Sequence, residues 1–361
     1  MSLPRLVGQV PAPKIRAMNA HVTNAHPGAA PTAGEPNAYL PRRHARSEFV
    51  PVRDQLYHVR VWEATTAPAQ AQPPLFMVHG WMDVAASFQF VVDAMATERT
   101  IIAPDWRGFG LTRPLAQPDG TRPLADHYVF ADYLGDLDAL MDHYMGLYMG
   151  RYGATGAESA QADLVGHSMG GNVAMMYGGV RPERIRRLVN LEGFGMPNTT
   201  PAQAPGRYAR WLDEIKALRS GTLGLRGYDS LQGVAQRLMK TNRRLDANRA
   251  LWLAQHWSAR NAQGQWEILG DPAHKVTSAQ LYRWEEVQAV YQRIAAPVLA
   301  VEASDDSLHQ WFKGSYTLAD YHERLKQVPQ VRIAQVNDAG HMLHHDQPQA
   351  LAQLIEEFLA S

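Results

Sequence analysis

The chain has 361 residues, with 35 Lys+Arg against 35 Asp+Glu and no cysteine. That length buries a sizeable core, in one large domain or two modest ones. The zero net charge gives no support for nucleic acid or an anionic membrane as partner, and the missing cysteines exclude disulfides, thiolate metal sites and cysteine nucleophiles.

Met1 to Val10 lacks a basic region followed by an apolar run, so no secretory signal is expected there. No apolar stretch reaches the length needed to span a bilayer. With the absent cysteines, this sets the expectation of a soluble cytoplasmic protein. Residues 1–46, rich in Ala, Pro, Asn, Gly and His, read as an extended arm. Phe49 to Trp62 carries a strand pattern broken by Arg53-Asp54-Gln55, a hairpin signal. Leu75-Phe76-Met77-Val78 is a short continuous apolar run of the buried-strand type, ending at His79-Gly80-Trp81. Phe88 to Met95 has helical spacing. Ile101-Ile102-Ala103-Pro104 is the next buried strand, ending at Asp105-Trp106-Arg107-Gly108-Phe109-Gly110.

A helix follows, with Phe130, Leu134, Leu137 and Met141 on one stripe. The strand Ala162 to Val165 runs into Gly166-His167-Ser168-Met169-Gly170, and a helix begins behind it. A serine between two glycines at this spacing, on a strand-to-helix turn, is the nucleophile-elbow pattern. The turn is crowded, and side chains two positions either way would clash, which suits Gly166 and Gly170. Another strand, Ile185 to Leu191, completes a strand–helix rhythm that argues a parallel sheet covered on both faces.

The rhythm stops near Gly195. From there to Ala296 the pattern is mostly helical, with no convincing buried strand. Five of the nine tryptophans fall in this stretch (Trp211, Trp252, Trp257, Trp266 and Trp284), which makes it a candidate wall for an apolar pocket. Its eleven arginines read mostly as a solvated helical surface, with one of them free to bind a substrate carboxylate. Strands resume at Val298 and Val331, and a final helix carries Leu351, Leu354, Ile355, Phe358 and Leu359.

Ligands of open parallel sheets bind at the carboxyl ends of the strands. A serine, an acid and a histidine arrive there in the order Ser168, Asp306, His341. A serine hydroxyl needs a base to become a nucleophile, and the base needs an acid to fix its tautomer. His341 is the candidate base and Asp306 the candidate acid. The backbone N–H groups of Met169 and Trp81 are the candidate oxyanion donors. His79 and Gly80 read as organisers of the oxyanion turn. Asp105 and Arg107 read as braces, and His167 as a packing or hydrogen-bonding residue. His344, His345 and Asp346 lack the His-Glu-X-X-His spacing, so no metal is called for.

These motifs together resemble the α/β-hydrolase superfamily, in its capped serine-hydrolase branch. The resemblance rests on His79-Gly80-Trp81, Asp105-Trp106-Arg107-Gly108-Phe109-Gly110, Gly166-His167-Ser168-Met169-Gly170-Gly171 and Gly340-His341. It runs from Phe49 to the C-terminus. It implies a mostly parallel eight-stranded sheet with helices on both faces, a core of residues 47–194 and 297–361, and a helical cap at 195–296. It implies a serine hydrolase cleaving an ester or related acyl bond of a small, largely apolar substrate, without cofactor or metal. A carbon–carbon hydrolase of the meta-cleavage type and a non-catalytic binding protein are the competing readings. The acid of such enzymes usually sits in a Gly-X-X-Asp turn. Here that turn reads Ala303-Ser304-Asp305-Asp306, which leaves Asp305 as an alternative. Some relatives place the acid one strand earlier, where Glu192 stands.

Overall fold

The computed structural model describes residues 39–152 and 161–361. Most of the expected N-terminal arm, residues 1–38, lies outside the described residues. Its end does not trail free: Tyr39 Oη donates to Asp93, and the Arg42 and Arg43 amides donate to the same carboxylate.

Strand β1 (Arg46–Val52) and strand β2 (Gln55–Trp62) form the expected antiparallel hairpin. Then come β3 (Leu75–Val78), helix α1 (Gln89–Ala94), β4 (Ile101–Pro104) and helix α2 (Phe130–Tyr152). The elbow joins β5 (Ala162–His167) to α3 (Met169–Val180), and β6 (Ile185–Leu191) follows. The stretch after β6 holds α4 (Ala204–Arg219), α5 (Leu231–Thr241), α6 (Ala247–Trp257) and α7 (Trp284–Tyr291). The chain closes with β7 (Val298–Ala303), α8 (Ser307–Phe312), α9 (Leu318–Leu325), β8 (Val331–Val336) and α10 (Pro348–Ala360).

Eight strands lie in the order β1-β2-β4-β3-β5-β6-β7-β8, and the two-residue strand Arg113–Pro114 pairs with β2 as a ninth. From β4 to β8 every pairing is parallel. The central strands are buried on both faces, as their unbroken apolar runs require. Phe76 and Val78 of β3 face a core built with Leu137, Leu140 and Met141 of α2 and with Val173 and Ala174 of α3. Leu75 and Met77 face the other side, against Val91 and Val92 of α1 and Leu351, Ile355 and Phe358 of α10. Each such side chain, fully buried, contributes about 1.5–3 kcal/mol of transfer free energy.

The stretch between β6 and β7 departs from expectation in one respect. It contains a small antiparallel sheet of Gly227–Tyr228, Trp266–Ile268 and Ser258–Arg260. Strands of two and three residues are too short to show an alternation in sequence. A third core joins this stretch to α1, through Leu238, Leu245, Trp252 and Leu253 against Phe90. Among the described residues, no helix is long and apolar enough to cross a membrane.

Candidate active site

The site is built on the carboxyl ends of β3, β5, β6 and β8. Ser168 sits between β5 and α3 with φ 53° and ψ −116°, in the left-handed half of backbone space that L side chains avoid. The crossing is tight enough to exclude any Cβ nearby. A methyl group on Gly166 would meet Gly170 O at 2.3 Å, and one on Gly170 would meet Val78 O at 2.2 Å. The Ser168 amide donates to Leu191 O at 2.8 Å, which ties the turn to β6. Met82, Glu192 and Asp338 also have positive φ, near 54°. Such residues cost of order 1–3 kcal/mol each and persist only where their surroundings over-determine them.

His341 follows Gly340 in the loop after β8. Its Nε2 lies 3.0 Å from Ser168 Oγ. Its Nδ1 lies 3.2 Å from Glu192 Oε2, an acceptor that requires the ring to carry its proton on Nδ1. Trp311 of α8 stands edge-on to the ring, with centroids 4.4 Å apart.

This arrangement corrects the expected acid. Asp306 does not meet His341. It caps α8, accepting from the His309 amide at 2.8 Å, and faces solvent. Asp305 turns outward as well, into a two-pronged pair with Arg244 at 2.7 and 3.1 Å. Glu192 occupies the place beneath the ring, 3 % exposed, at the end of β6. It is held on every side: Oε1 accepts from the Ala303 amide at 2.7 Å, and Oε2 accepts from Ser307 Oγ at 2.7 Å as well as from His341. The Glu192 amide in turn donates to Val301 O.

The expected oxyanion donors stand on the other side of the serine. Met169 is the first residue of α3, where amides lack helical partners and the helix dipole is positive. The Trp81 turn lies against Ser168, since a Cβ added to Gly80 would stand 3.1 Å from Ser168 Cβ. Neither the Met169 nor the Trp81 amide has a backbone acceptor among the described residues. His79 organises the turn: its Nδ1 donates to Gly80 O at 2.8 Å, and its Nε2 accepts from the Trp106 amide at 2.9 Å. Burial pushes the His79 pKa down, which keeps this ring neutral.

Asp105 and Arg107 brace the neighbouring loop. Asp105 accepts from His58 Nδ1 and from the Ala85 and Leu111 amides. Arg107 holds Asp136 through Nε at 2.5 Å and Nη2 at 2.7 Å, and Tyr57 Oη donates to the same carboxylate.

Behind His341 lies a buried polar group that the sequence reading did not connect. His167 Nε2 donates to the His341 carbonyl at 2.8 Å. Burial, then the neighbouring His344 and His341, hold the His167 pKa well below the ordinary histidine value. Asp83 accepts from the Val84 amide, Ser87 Oγ and Trp257 Nε1. Burial alone would raise its pKa, but His344 holds it below the usual carboxylate range. His344 Nε2 is 3.7 Å from Asp83 Oδ2, an ion-pair separation. Asp83, His167 and His344 are the residues here able to hold a metal, with ligand atoms within 4.8 Å of one another. Asp83 Oδ2 and both ring nitrogens of His344 are buried with no hydrogen-bond partner among the described residues.

A cavity of about 420 Å³ opens over Ser168 and His341, lined by Trp81, Met82, Leu225, Leu238, Trp257 and Ile268 among others. That is within the range of small-ligand sites. Of the five tryptophans between Gly195 and Ala296, Trp257 lines it, whereas Trp252 is buried against Phe90 and Trp284 packs on the sheet's own core. Ser307 and Trp311 escaped the sequence reading. Their one signal was position, directly after the β7 strand end.

Several residues stitch the stretch above the cavity to the loop that carries His341. Asn242 Nδ2 donates to Asp346 Oδ1 at 2.7 Å, and Arg249 Nη1 donates to His345 O at 3.2 Å. Asp346 Oδ2 accepts from the Gly340 amide at 2.8 Å.

Comparison with known proteins agrees with this architecture. A serine hydrolase-like protein of Danio rerio is 25% identical over 332 residues, 88% of this chain and 89% of that protein. The 2-hydroxymuconate semialdehyde hydrolase of Pseudomonas sp. (strain CF600) is 34% identical over 151 residues, 40% of this chain and 46% of that enzyme. Among solved structures, the thioesterase domain from the curacin biosynthetic pathway superposes with a TM-score of 0.69 at 19% identity, covering 86% of this chain and 99% of that one. The model of the alpha/beta hydrolase family matches residues 75–354, and with strand order, elbow and strand-end residues in agreement, the chain belongs to that family.

Proposed function

We propose that the protein is a serine hydrolase that cleaves a carboxylic ester or related acyl bond through an acyl-enzyme. One observation carries this reading: Ser168, His341 and Glu192 form a continuous hydrogen-bonded chain at the floor of an apolar cavity. Ser168 Oγ attacks the acyl carbon while His341 Nε2 takes its proton. Glu192 holds the ring in the working tautomer and offsets the imidazolium charge. The oxyanion forms against the Met169 and Trp81 amides. His341 then passes the proton to the leaving group, and a water activated by the same nitrogen releases the acid. The cap reading of residues 195–296 is supported by Leu225, Leu238, Trp257 and Ile268, which line the cavity from that stretch.

The likeness to 2-hydroxymuconate semialdehyde hydrolase favours a second reading, cleavage of a carbon–carbon bond by the same three residues. A fluorophosphonate probe and a panel of 4-nitrophenyl esters separate the outcomes. The proposal expects labelling that Ser168→Ala abolishes, and ester turnover with a burst. Labelling with inert esters and consumption of a ring-fission diketone would move the assignment to the second reading. No labelling would favour a binding protein.

A further inference from the structure

The cavity over Ser168 does not end at its apolar walls. A second, open groove of about 720 Å³ adjoins it, and the two share Arg226, Tyr228, Arg237 and Thr241 as lining. The inner cavity is apolar, and the outer groove carries Arg226, Arg237 and Lys240 against the single carboxylate of Asp229.

These three cations have no carboxylate partner among the described residues. Five of the eleven arginines between Gly195 and Ala296 are in ion pairs: Arg210, Arg219, Arg244, Arg249 and Arg283. Arg226, Arg237 and Lys240 form no ion pair among the described residues. Arg226 leans over the Tyr228 ring at 5.8 Å, a contact that leaves its donors open. Unpaired guanidinium groups at the mouth of an apolar pocket attract and orient a carboxylate or phosphate, singly or two-pronged. A cleft lined by one sign of charge also raises the local concentration of the opposite sign.

Resting on the serine-hydrolase reading above, we propose that the substrate is amphipathic. Its acyl segment lies in the apolar cavity beside Ser168, and an anionic group, carboxylate or phosphate, sits in the outer groove on Arg226, Arg237 and Lys240. An acyl chain ending in a carboxylate and a leaving group bearing phosphates both supply that chemistry.

Two matched pairs test it. One is mono-4-nitrophenyl adipate against 4-nitrophenyl hexanoate, which differ only in the terminal carboxylate. The other is hexanoyl-4'-phosphopantetheine against hexanoyl-pantetheine, which differ only in the phosphate of the leaving group. The readout is the ratio of kcat/KM within each pair, so that general damage to the enzyme cancels. In at least one pair the anionic member is expected to be favoured by about tenfold or more at low salt, and the advantage falls as screening grows. The pair that shows it identifies the source of the anion. The double variant Arg226→Gln/Arg237→Gln is expected to bring the ratio within about twofold of unity, and Arg237→Lys to retain part of it. Ratios at or below one in both pairs, or a ratio indifferent to salt and to the double variant, would overturn the proposal.

A binding arm separates this proposal from the catalytic one. Calorimetry on Ser168→Ala protein with adipate and with 4'-phosphopantetheine should show, for at least one of them, saturable binding that the Arg226→Gln/Arg237→Gln change removes. Absence of binding by both compounds overturns the anion site even if Ser168 reacts with fluorophosphonate. Binding with an unreactive Ser168 keeps the anion site and rejects the hydrolase.

Discussion

Glu192→Gln is the most direct test of how the site works. In the present geometry the carboxylate lies 3.2 Å from His341 Nδ1 and is shielded from solvent. Opposite unit charges about 4 Å apart interact by about 4 kcal/mol at an effective dielectric constant near 20, and that attraction exists only once the ring is protonated. Removing it alone slows acylation by roughly a thousandfold. Glutamine adds a second penalty. Its oxygen can satisfy the Ala303 amide, leaving its NH₂ toward the ring, which favours the tautomer with the proton on Nε2. That nitrogen then faces Ser168 Oγ as a donor and takes no proton. The expected loss in kcat is therefore about 10³–10⁴. Asp306→Asn serves as the control, because asparagine caps a helix about as well as aspartate, and kcat should stay within about threefold. Initial rates with a 4-nitrophenyl ester, set beside thermal melts of both variants, decide it. If Asp306→Asn loses three orders of magnitude while Glu192→Gln stays within tenfold of wild type, the reasoning fails.

Three other substitutions probe the frame. Gly170→Ala would drive a methyl group to 2.2 Å from Val78 O, a backbone atom that cannot yield. A stability loss of about 3 kcal/mol or more is expected from urea unfolding, or failure to accumulate as soluble protein. Arg107→Met leaves the fully buried Asp136 with the partly exposed Arg53, 3.0 Å away, as its remaining cation and should cost about 3 kcal/mol in the same assay. Adding Asp136→Asn should recover part of it. His274 is stacked between Phe109 and Tyr128, and burial lowers its pKa from 6.5 to about 3. The folded state thus prefers the neutral ring. Its contribution is whole above pH 6.5 and is lost as pH falls through the window toward 3, by about 2 kcal/mol between pH 7 and pH 5. His256, also lowered to about 3, acts with the same sign. His79, His167 and His345 share that direction, so His274→Gln should reduce without abolishing the fall of the urea midpoint between pH 7 and pH 5, and an unchanged slope would count against it.

The strands and the elbow were legible because their causes are local. A strand buried on both faces needs an unbroken apolar run, and Leu75–Val78 supplies one. A serine on a crowded turn needs glycine two positions away, and Gly166 and Gly170 supply that. The acid was not legible, because its choice is a matter of loop trajectory. Asp305, Asp306 and Glu192 all stand at strand ends beside His341. Asp306 is diverted by the free amides of its own helix, Asp305 by Arg244, and Glu192 remains. No spacing in the sequence records that competition. Tryptophan enrichment marked the right segment but not the right residue. Trp257 reaches the cavity because it ends α6, whereas Trp252 lies on the inward stripe of the same helix.

The stitches between the upper stretch and the His341 loop have a mechanical consequence. Asp346 holds Asn242 with one oxygen and the Gly340 amide, next to His341, with the other. Arg244 grips Asp305 at a half-exposed site. Asp346 thereby ties the end of α5 to the peptide that carries the His341 ring, so a displacement at one would be felt at the other. Solvent-exposed ion pairs are weak, typically about 1 kcal/mol or less, so the Arg244–Asp305 link is the one that loosens in salt.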